Sequence, residues 1–477
     1  MAGVFAVVGV SLTCARNPVT GKRELDLLGR QQAEAMGAEG DRQIVAQFGI
    51  VGEPRLATYT EELGRRLVAV SHVPAEGFQF RVLDDPVVNA FALPGGHVYL
   101  TRGILAYLDS EAAMAGVLGH EIGHVAARHA SQRYTQSAVA GLGIGLGAVL
   151  SDTVRQYAGE IGAGLQLLFL KYSRDDEREA DDLGVKYALA TGFDPGAMAA
   201  FFGKLAKLQG GRSVLPAWAA THPDPGERQA TIEKKAGQLV ASPQSTEPLT
   251  LGRRSFLAAI DGMKFGPDPR EGFVDGQTFK HPGLAFQFPF PAGWKVENSR
   301  QQVVVVAPEG QAAVIFTQAG QQGPAGLAAQ QGTREVSRTP MTVNGFEAVR
   351  VQWIATNEGG EQVPVESTYI NGVGPRRIGV VFHALAAPAT AGGALPEMRR
   401  CADGFAPLTN SEDLAVKAAR LKIVTIERPG RLRDVLSRYP IPRHAGVDPD
   451  GWALLNGMAL DDEVPAGSPV KVLVDGS

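Results

Sequence analysis

His120-Glu121-Ile122-Gly123-His124 lies in a run, from Glu111 to about Arg133, whose apolar residues recur with helical spacing behind Asp109-Ser110, a helix-start pair. Residues i and i+4 share one face of an α-helix, so His120 and His124 can place two imidazole nitrogens on a single ion. Glu121 falls on the adjacent stripe, beside the open coordination position. Neutral imidazole suits zinc, and two histidines with one carboxylate leave the ion positive enough to acidify a water toward a pKa of about 7. The segment therefore predicts one Zn2+ per chain, with a nucleophile available at neutral pH.

The third ligand decides the class. A metzincin would continue with Gly at 127 and His at 130, but this chain has Ala127 and Ala130, with His129 one place off. Counted along a continuous helix, His129 lies about 140° round from His124, which predicts a solvated ring. The next rich stretch is Ser173-Arg174-Asp175-Asp176-Glu177-Arg178-Glu179-Ala180-Asp181. Glu177 and Asp181 share a helix face, offering a metal ligand and a second carboxylate that can accept the N–H of a ligating histidine; Glu179 points elsewhere. The competing reading is a solvated helix N-terminus favoured by the macrodipole.

Composition sets the frame. The chain has 477 residues, 44% of them hydrophobic, with a formal net charge of −4. At roughly 100–200 residues per domain this predicts several globular domains, and the absence of a basic excess argues against nucleic acid as a partner. Two cysteines, Cys14 and Cys401, cannot build a disulfide framework.

Around the metal helix, residues 26–71 read as helices, with Leu56, Tyr59, Leu63 and Leu67 on one face. The runs FQFRVLDD (78–85), VVNAFAL and HVYLTRG read as a small sheet broken at Asp85-Pro86 and Pro94-Gly95-Gly96. Helices follow at about 174–191, 195–208 and 224–238, and Ser242-Pro243-Gln244-Ser245-Thr246-Glu247-Pro248 reads as a linker. Beyond it, 276–407 carries short alternating runs that predict an antiparallel sheet. The last stretch, Val424 to Val474, reads strand, helix, helix, strand, and resembles a LysM module, a glycan-binding fold.

The boundaries that follow are a targeting segment over 1–16, a metal domain over 17–240, a linker over 241–275, an antiparallel-sheet domain over 276–410 and a βααβ module over 420–477. The fold class is a multidomain α+β chain. The apolar run before Ala15 has signal-peptide length, and Ser11-Leu12-Thr13-Cys14 resembles a bacterial lipoprotein box with Cys14 as the lipidated residue; the alternative is a buried N-terminal strand or helix. Tyr134 to Ser151 is uncharged, but glycines at 141, 143, 145 and 147 argue against a membrane span and leave a lid or a close helix packing.

Taken in order, His120-Glu121-Ile122-Gly123-His124, Ser173-Arg174, Glu177 to Asp181 and Thr221-His222-Pro223 with Arg228 resemble the gluzincin metallopeptidases that include CaaX prenyl endopeptidases, HtpX-type and BepA-type proteases. Upstream, Asn89-Ala90-Phe91-Ala92-Leu93-Pro94-Gly95-Gly96 resembles their substrate-side edge strand; the alternative is a strand paired on both sides. The resemblance spans about 25–240 and implies a mostly helical, zincin-like protease domain with zinc on His120, His124 and Glu177, Asp181 behind them, and Glu121 as general base. It implies that His222 or Arg228 helps an oxyanion, while His222 can instead cap the zinc or the following helix, and Arg228 can be an ion-pair partner. Without the membrane spans of CaaX and HtpX proteases, the chain sits nearer the periplasmic branch. The implied activity is cleavage of unfolded or misassembled envelope proteins, with outer-membrane assembly components and peptidoglycan as further partners and Cys14 as a membrane anchor. The alternative is an envelope binding or chaperone-like protein whose metal domain is closed.

Overall fold

The computed structural model describes residues 13–139, 172–210, 218, 222, 224–241, 248–320, 333–356, 362–374 and 377–476. The targeting segment up to residue 12 and the glycines at 141–147 read as a lid lie outside the described residues. The chain forms two compact units, one from residues before 268 together with those after 418, the other from 268–418.

The first unit opens with an antiparallel hairpin, β1 (Thr13–Arg16) and β2 (Arg23–Asp26), in which Cys14 stands opposite Leu25. Helices α1 (Arg30–Phe48) and α2 (Pro54–Ala69) follow, and α2 buries Leu56, Leu63 and Leu67 along the expected face. A three-stranded sheet comes next: β3 (Gln79–Leu83), β4 (Ala90–Leu93) and β5 (His97–Thr101), in the order β3-β5-β4. β5 pairs parallel with β3 and antiparallel with β4, so among the described residues β4 is an outer strand. The β4–β5 reversal runs through Gly95 and Gly96, both at φ near +90°, a region that favours glycine.

After the short α3 (Arg102–Tyr107), helix α4 (Glu111–Ala126) starts at Ser110, whose hydroxyl accepts the Ala113 N–H at 3.1 Å. Nearly every residue of α4 is buried, so it is the central element of this unit. It does not continue to Arg133. The backbone turns at Arg128, which has φ +59°, and α5 (His129–Val139) begins one residue later. Helices α6 (Arg174–Ala190), α7 (Gly196–Gly210) and α8 (Pro225–Val240) match the sequence expectation within two residues at each bound. The stretch expected to be linker holds a further helix, α9 (Arg253–Ile260), with Phe256, Leu257 and Ile260 buried; linker composition ends at Pro248, and apolar spacing takes over.

In the second unit, strands 295–298, 302–306, 312–318, 333–343, 346–356, 362–373 and 378–386 form an antiparallel seven-stranded sheet. Helix Ala391–Asp403 and an aromatic core of Phe279, Phe286, Phe288, Phe316, Phe382 and Phe405 complete it.

The C-terminal residues return to the first unit. Strands Ala419–Thr425 and Pro469–Asp475 pair antiparallel and enclose helices Leu432–Leu436 and Pro449–Leu455, the strand, helix, helix, strand order expected. They form no separate core: Leu421, Trp452 and Val472 belong to the same buried cluster as Leu118 and Leu183. Lys471 joins the two parts. Its buried ammonium donates to the carbonyls of Ala106 and Leu455, both at 2.9 Å, and meets Asp109 Oδ1 at 3.1 Å, just ahead of α4. No helix among the described residues is long and apolar enough to cross a membrane.

Candidate metal centre

Helices α4 and α6 meet with backbones almost touching. A Cβ on Gly184 would lie 3.0 Å from the His120 nitrogen and 3.1 Å from the Gly116 carbonyl, and one on Gly119 only 3.1 Å from Gly184 Cα. That approach brings the carboxylates of α6 to the imidazoles of α4. Gly184→Val should force the helices apart, costing about 1–3 kcal/mol and lowering bound zinc. Urea midpoints and metal stoichiometry check this, and a variant matching wild type in both contradicts the close-approach argument.

Ser173 starts α6 with a capping box: its hydroxyl accepts the Asp176 N–H, and the Asp176 carboxylate accepts the Ser173 N–H. Asp176 thus does the capping while Glu177 turns inward, buried, so the solvated-terminus reading does not hold for Glu177.

His120, His124, Glu177 and His222 each offer one ligating atom, all within 4.8 Å of one another. His120 Nε2 lies 3.0 Å from His124 Nε2 and 3.3 Å from His222 Nδ1. Glu177 Oε1 is 2.9 Å from His222 Nδ1 and 3.4 Å from His124 Nε2. Two atoms bound to a tetrahedral zinc at about 2.0–2.1 Å stand about 3.3–3.4 Å apart. The observed spacings run from 2.9 Å up to that value, so the donor set fits zinc in both size and chemistry. Burial, with the charge of Arg228 next, pushes the His120 imidazole down to about 3, leaving it neutral, the form that ligates.

The surrounding charges are ordered. Asp181 Oδ1 sits 3.0 Å from His120 Nδ1, where it accepts the N–H opposite the ligating nitrogen. Arg228, 5% exposed, donates through Nε to Asp181 Oδ2 at 2.9 Å and places Nη1 2.7 Å from Glu177 Oε2. Burial alone would raise both acids, but His222 and Arg228 hold Glu177 well below the usual carboxylate range, and Arg228 lowers Asp181. Glu121, 1% exposed, is not a donor; its Oε1 has no hydrogen-bond partner, and burial lifts its carboxyl to about 7.

A sequence model of peptidase family M48 matches residues 54–236. Those residues belong to peptidase family M48. Over 224 residues the chain is 33% identical to the beta-barrel assembly-enhancing protease of Yersinia pestis, covering 45% of this chain and 46% of that protein. It is 32% identical over 216 residues to the protein of the same name from Escherichia coli strain K12, covering 44% of each. The mitochondrial metalloendopeptidase OMA1 of Schizosaccharomyces pombe is 27% identical over 223 residues, covering 46% of this chain and 65% of that one. The chain spans less than half the length of the bacterial relatives it matches.

All four donors, Glu121, Asp181 and Arg228 lie inside the M48 segment. Asn89, Ala90 and Phe91 do too, on and beside outer strand β4, and a cavity of about 310 Å³ is lined by Ala92, Leu93, Pro94, His124 and Tyr172. Cys14 lies outside the M48 segment, far along the chain from the donors. One expectation is corrected. His129 is not solvated but 1% exposed, with Nδ1 2.9 Å from His124 Nδ1, because the turn at Arg128 ends the helix on which the 140° count relied. Two aromatic neighbours escaped sequence reasoning: Tyr172 stacks on His124 with ring centroids 4.0 Å apart, and Trp218 stacks on His222 at 4.8 Å. Tyr172 could have been noticed only as the residue before the Ser173 cap; no spacing rule reaches Trp218.

Proposed function

We propose that this chain is a zinc-dependent endopeptidase that hydrolyses peptide bonds of unfolded or misassembled cell-envelope proteins. The observation that carries the reading is Glu121 Oε1, buried, without a hydrogen-bond partner and 3.9 Å from His222 Nε2, beside four convergent metal donors. His120, His124 and Glu177 would hold the zinc. When bound, zinc would polarise a peptide carbonyl and acidify water. Glu121 takes the proton of the attacking water and then delivers it to the leaving amine. Zinc content and chelator-sensitive cleavage of an unfolded protein such as casein, measured together, test the assignment; a zinc-loaded chain with no cleavage rejects it.

Strand β4 supports an extended substrate. The Thr101 N–H donates to the Asn89 carbonyl at 3.0 Å, so in the antiparallel alternation Asn89 and Phe91 turn their backbone groups toward β5, while Ala90 and Ala92 turn theirs to the outer edge. A peptide added there would be held by backbone bonds, giving broad sequence tolerance. The names of the bacterial relatives support protein substrates tied to β-barrel assembly. Peptidoglycan binding by the LysM-like residues 420–477 and lipidation of Cys14 complete the reading. Sedimentation with insoluble peptidoglycan and the mass of the mature N-terminus test these two.

A second reading is favoured by His222. With Nδ1 at 2.9 Å from Glu177 and 3.3 Å from His120, it stands as a fourth donor, and a four-donor zinc site is closed. On this reading the chain rests in a capped state, or serves as a binding protein. His222→Ala should then keep zinc on three ligands and raise casein cleavage several-fold. A loss of cleavage at full zinc content would instead assign His222 to the oxyanion.

A further inference from the structure

The two imidazoles of α4 are backed differently. His120 has the carboxylate of Asp181 behind it, whereas His124 has another imidazole. His124 Nε2 is the nitrogen that joins the donors, 3.0 Å from His120 Nε2 and 3.4 Å from Glu177 Oε1, so Nδ1 faces outward. A neutral ring with its lone pair on Nε2 carries its proton on Nδ1. That N–H points at His129 Nδ1, 2.9 Å away and buried. To accept it, His129 must carry its own proton on Nε2, which lies 3.3 Å from Glu179 Oε2 and 3.9 Å from Asp176 Oδ1. The opposite tautomer of His129 would set two N–H groups head to head.

We propose that His129 and Glu179 are positioning residues that fix the His124 tautomer: His124 Nδ1–H donates to His129 Nδ1, and His129 Nε2–H donates to Glu179, aiming His124 Nε2 at the zinc position. The proposal rests on the zinc reading above. Its geometry is built by the turn after α4. Arg128 takes the left-handed conformation at φ +59° and pairs with Asp26, while the Asn17 side-chain amide donates to the Ala127 carbonyl at 3.2 Å. The β1–β2 hairpin and the loop between its strands thereby hold the bend that swings His129 back onto His124. With a neutral ring next to the ligand, the chain's negative charge stays at Glu179, the most exposed of its members.

The test is zinc affinity of the full chain, by competition with a chromophoric chelator, together with imidazole 15N spectra of the zinc-loaded protein. Removing such a partner of a metal ligand typically weakens binding about 10–100-fold, and that is expected for His129→Leu. His129→Asn, whose side-chain oxygen replaces Nδ1 as acceptor, should restore most of the affinity. Glu179→Ala should lose only a few-fold, because water can replace a half-exposed carboxylate. The spectra should show the His124 proton on Nδ1 and the His129 proton on Nε2, a readout independent of whether the leucine variant folds. A His129 proton on Nδ1, or a leucine variant that folds and binds zinc like wild type, overturns the positioning role alone. A wild-type chain that binds no zinc overturns the metal reading and this proposal with it.

Discussion

Glu121→Gln is expected to lower kcat/KM for casein-type cleavage by about 10²–10⁴-fold while leaving zinc content at the wild-type level. Glutamine keeps the shape of the side chain and its packing, so the variant tests proton transfer rather than folding. Glu121 is not among the four donors and its Oε1 has no hydrogen-bond partner, so an amide there breaks no hydrogen bond of that oxygen. What it lacks is the ability to accept a proton from the attacking water and return it to the amine. Burial, reinforced by the nearby negative charge of Glu177, lifts the Glu121 carboxyl to about 7, which suits a group that must bind and release a proton near neutrality. Cleavage unchanged in the glutamine variant would reject the assigned base. Zinc lost along with cleavage would show Glu121 supporting the metal instead.

The metal helix was readable because its information is local. One turn separates His120 from His124, the start signal Ser110 lies just ahead, and the Glu177/Asp181 pair obeys the same spacing on its own helix. Short-range reading failed where distant residues bend or cover the chain. The turn that brings His129 inward is held by Asp26 and Asn17, about a hundred residues upstream, and no periodicity within α4 or α5 announces it. The C-terminal strand is similar. Its order was legible from alternation, but its place in the first unit's core depends on the Lys471 ammonium finding carbonyls more than three hundred residues earlier. Helix α9 is hidden for a third reason: it is only 8 residues long and follows a Ser/Pro-rich stretch, so Phe256, Leu257 and Ile260 make too short an apolar pattern to stand out.

Arg228→Met should destabilise the zinc-free first unit by about 3–5 kcal/mol, the usual cost of removing one partner from a buried ion pair. The guanidinium is engaged on every side. It bridges Asp181 and Glu177, and its carbon lies 4.3 Å from the ring centroid of Phe202 and 4.7 Å from that of Trp218. Methionine preserves much of the stem's packing against those rings but supplies no charge, leaving two buried carboxylates uncompensated. Zinc would itself offset Glu177, so the loss should shrink when the metal is loaded; urea unfolding with and without zinc measures both numbers. Arg228→Lys should fall between, since an ammonium keeps the charge but cannot span both acids as a planar fork does. A methionine variant as stable as wild type, with kcat alone reduced, would return Arg228 to the oxyanion role that the family resemblance implies. A large stability loss that zinc partly repairs identifies it as the counter-charge that lets Glu177 and Asp181 stay ionised beneath the metal.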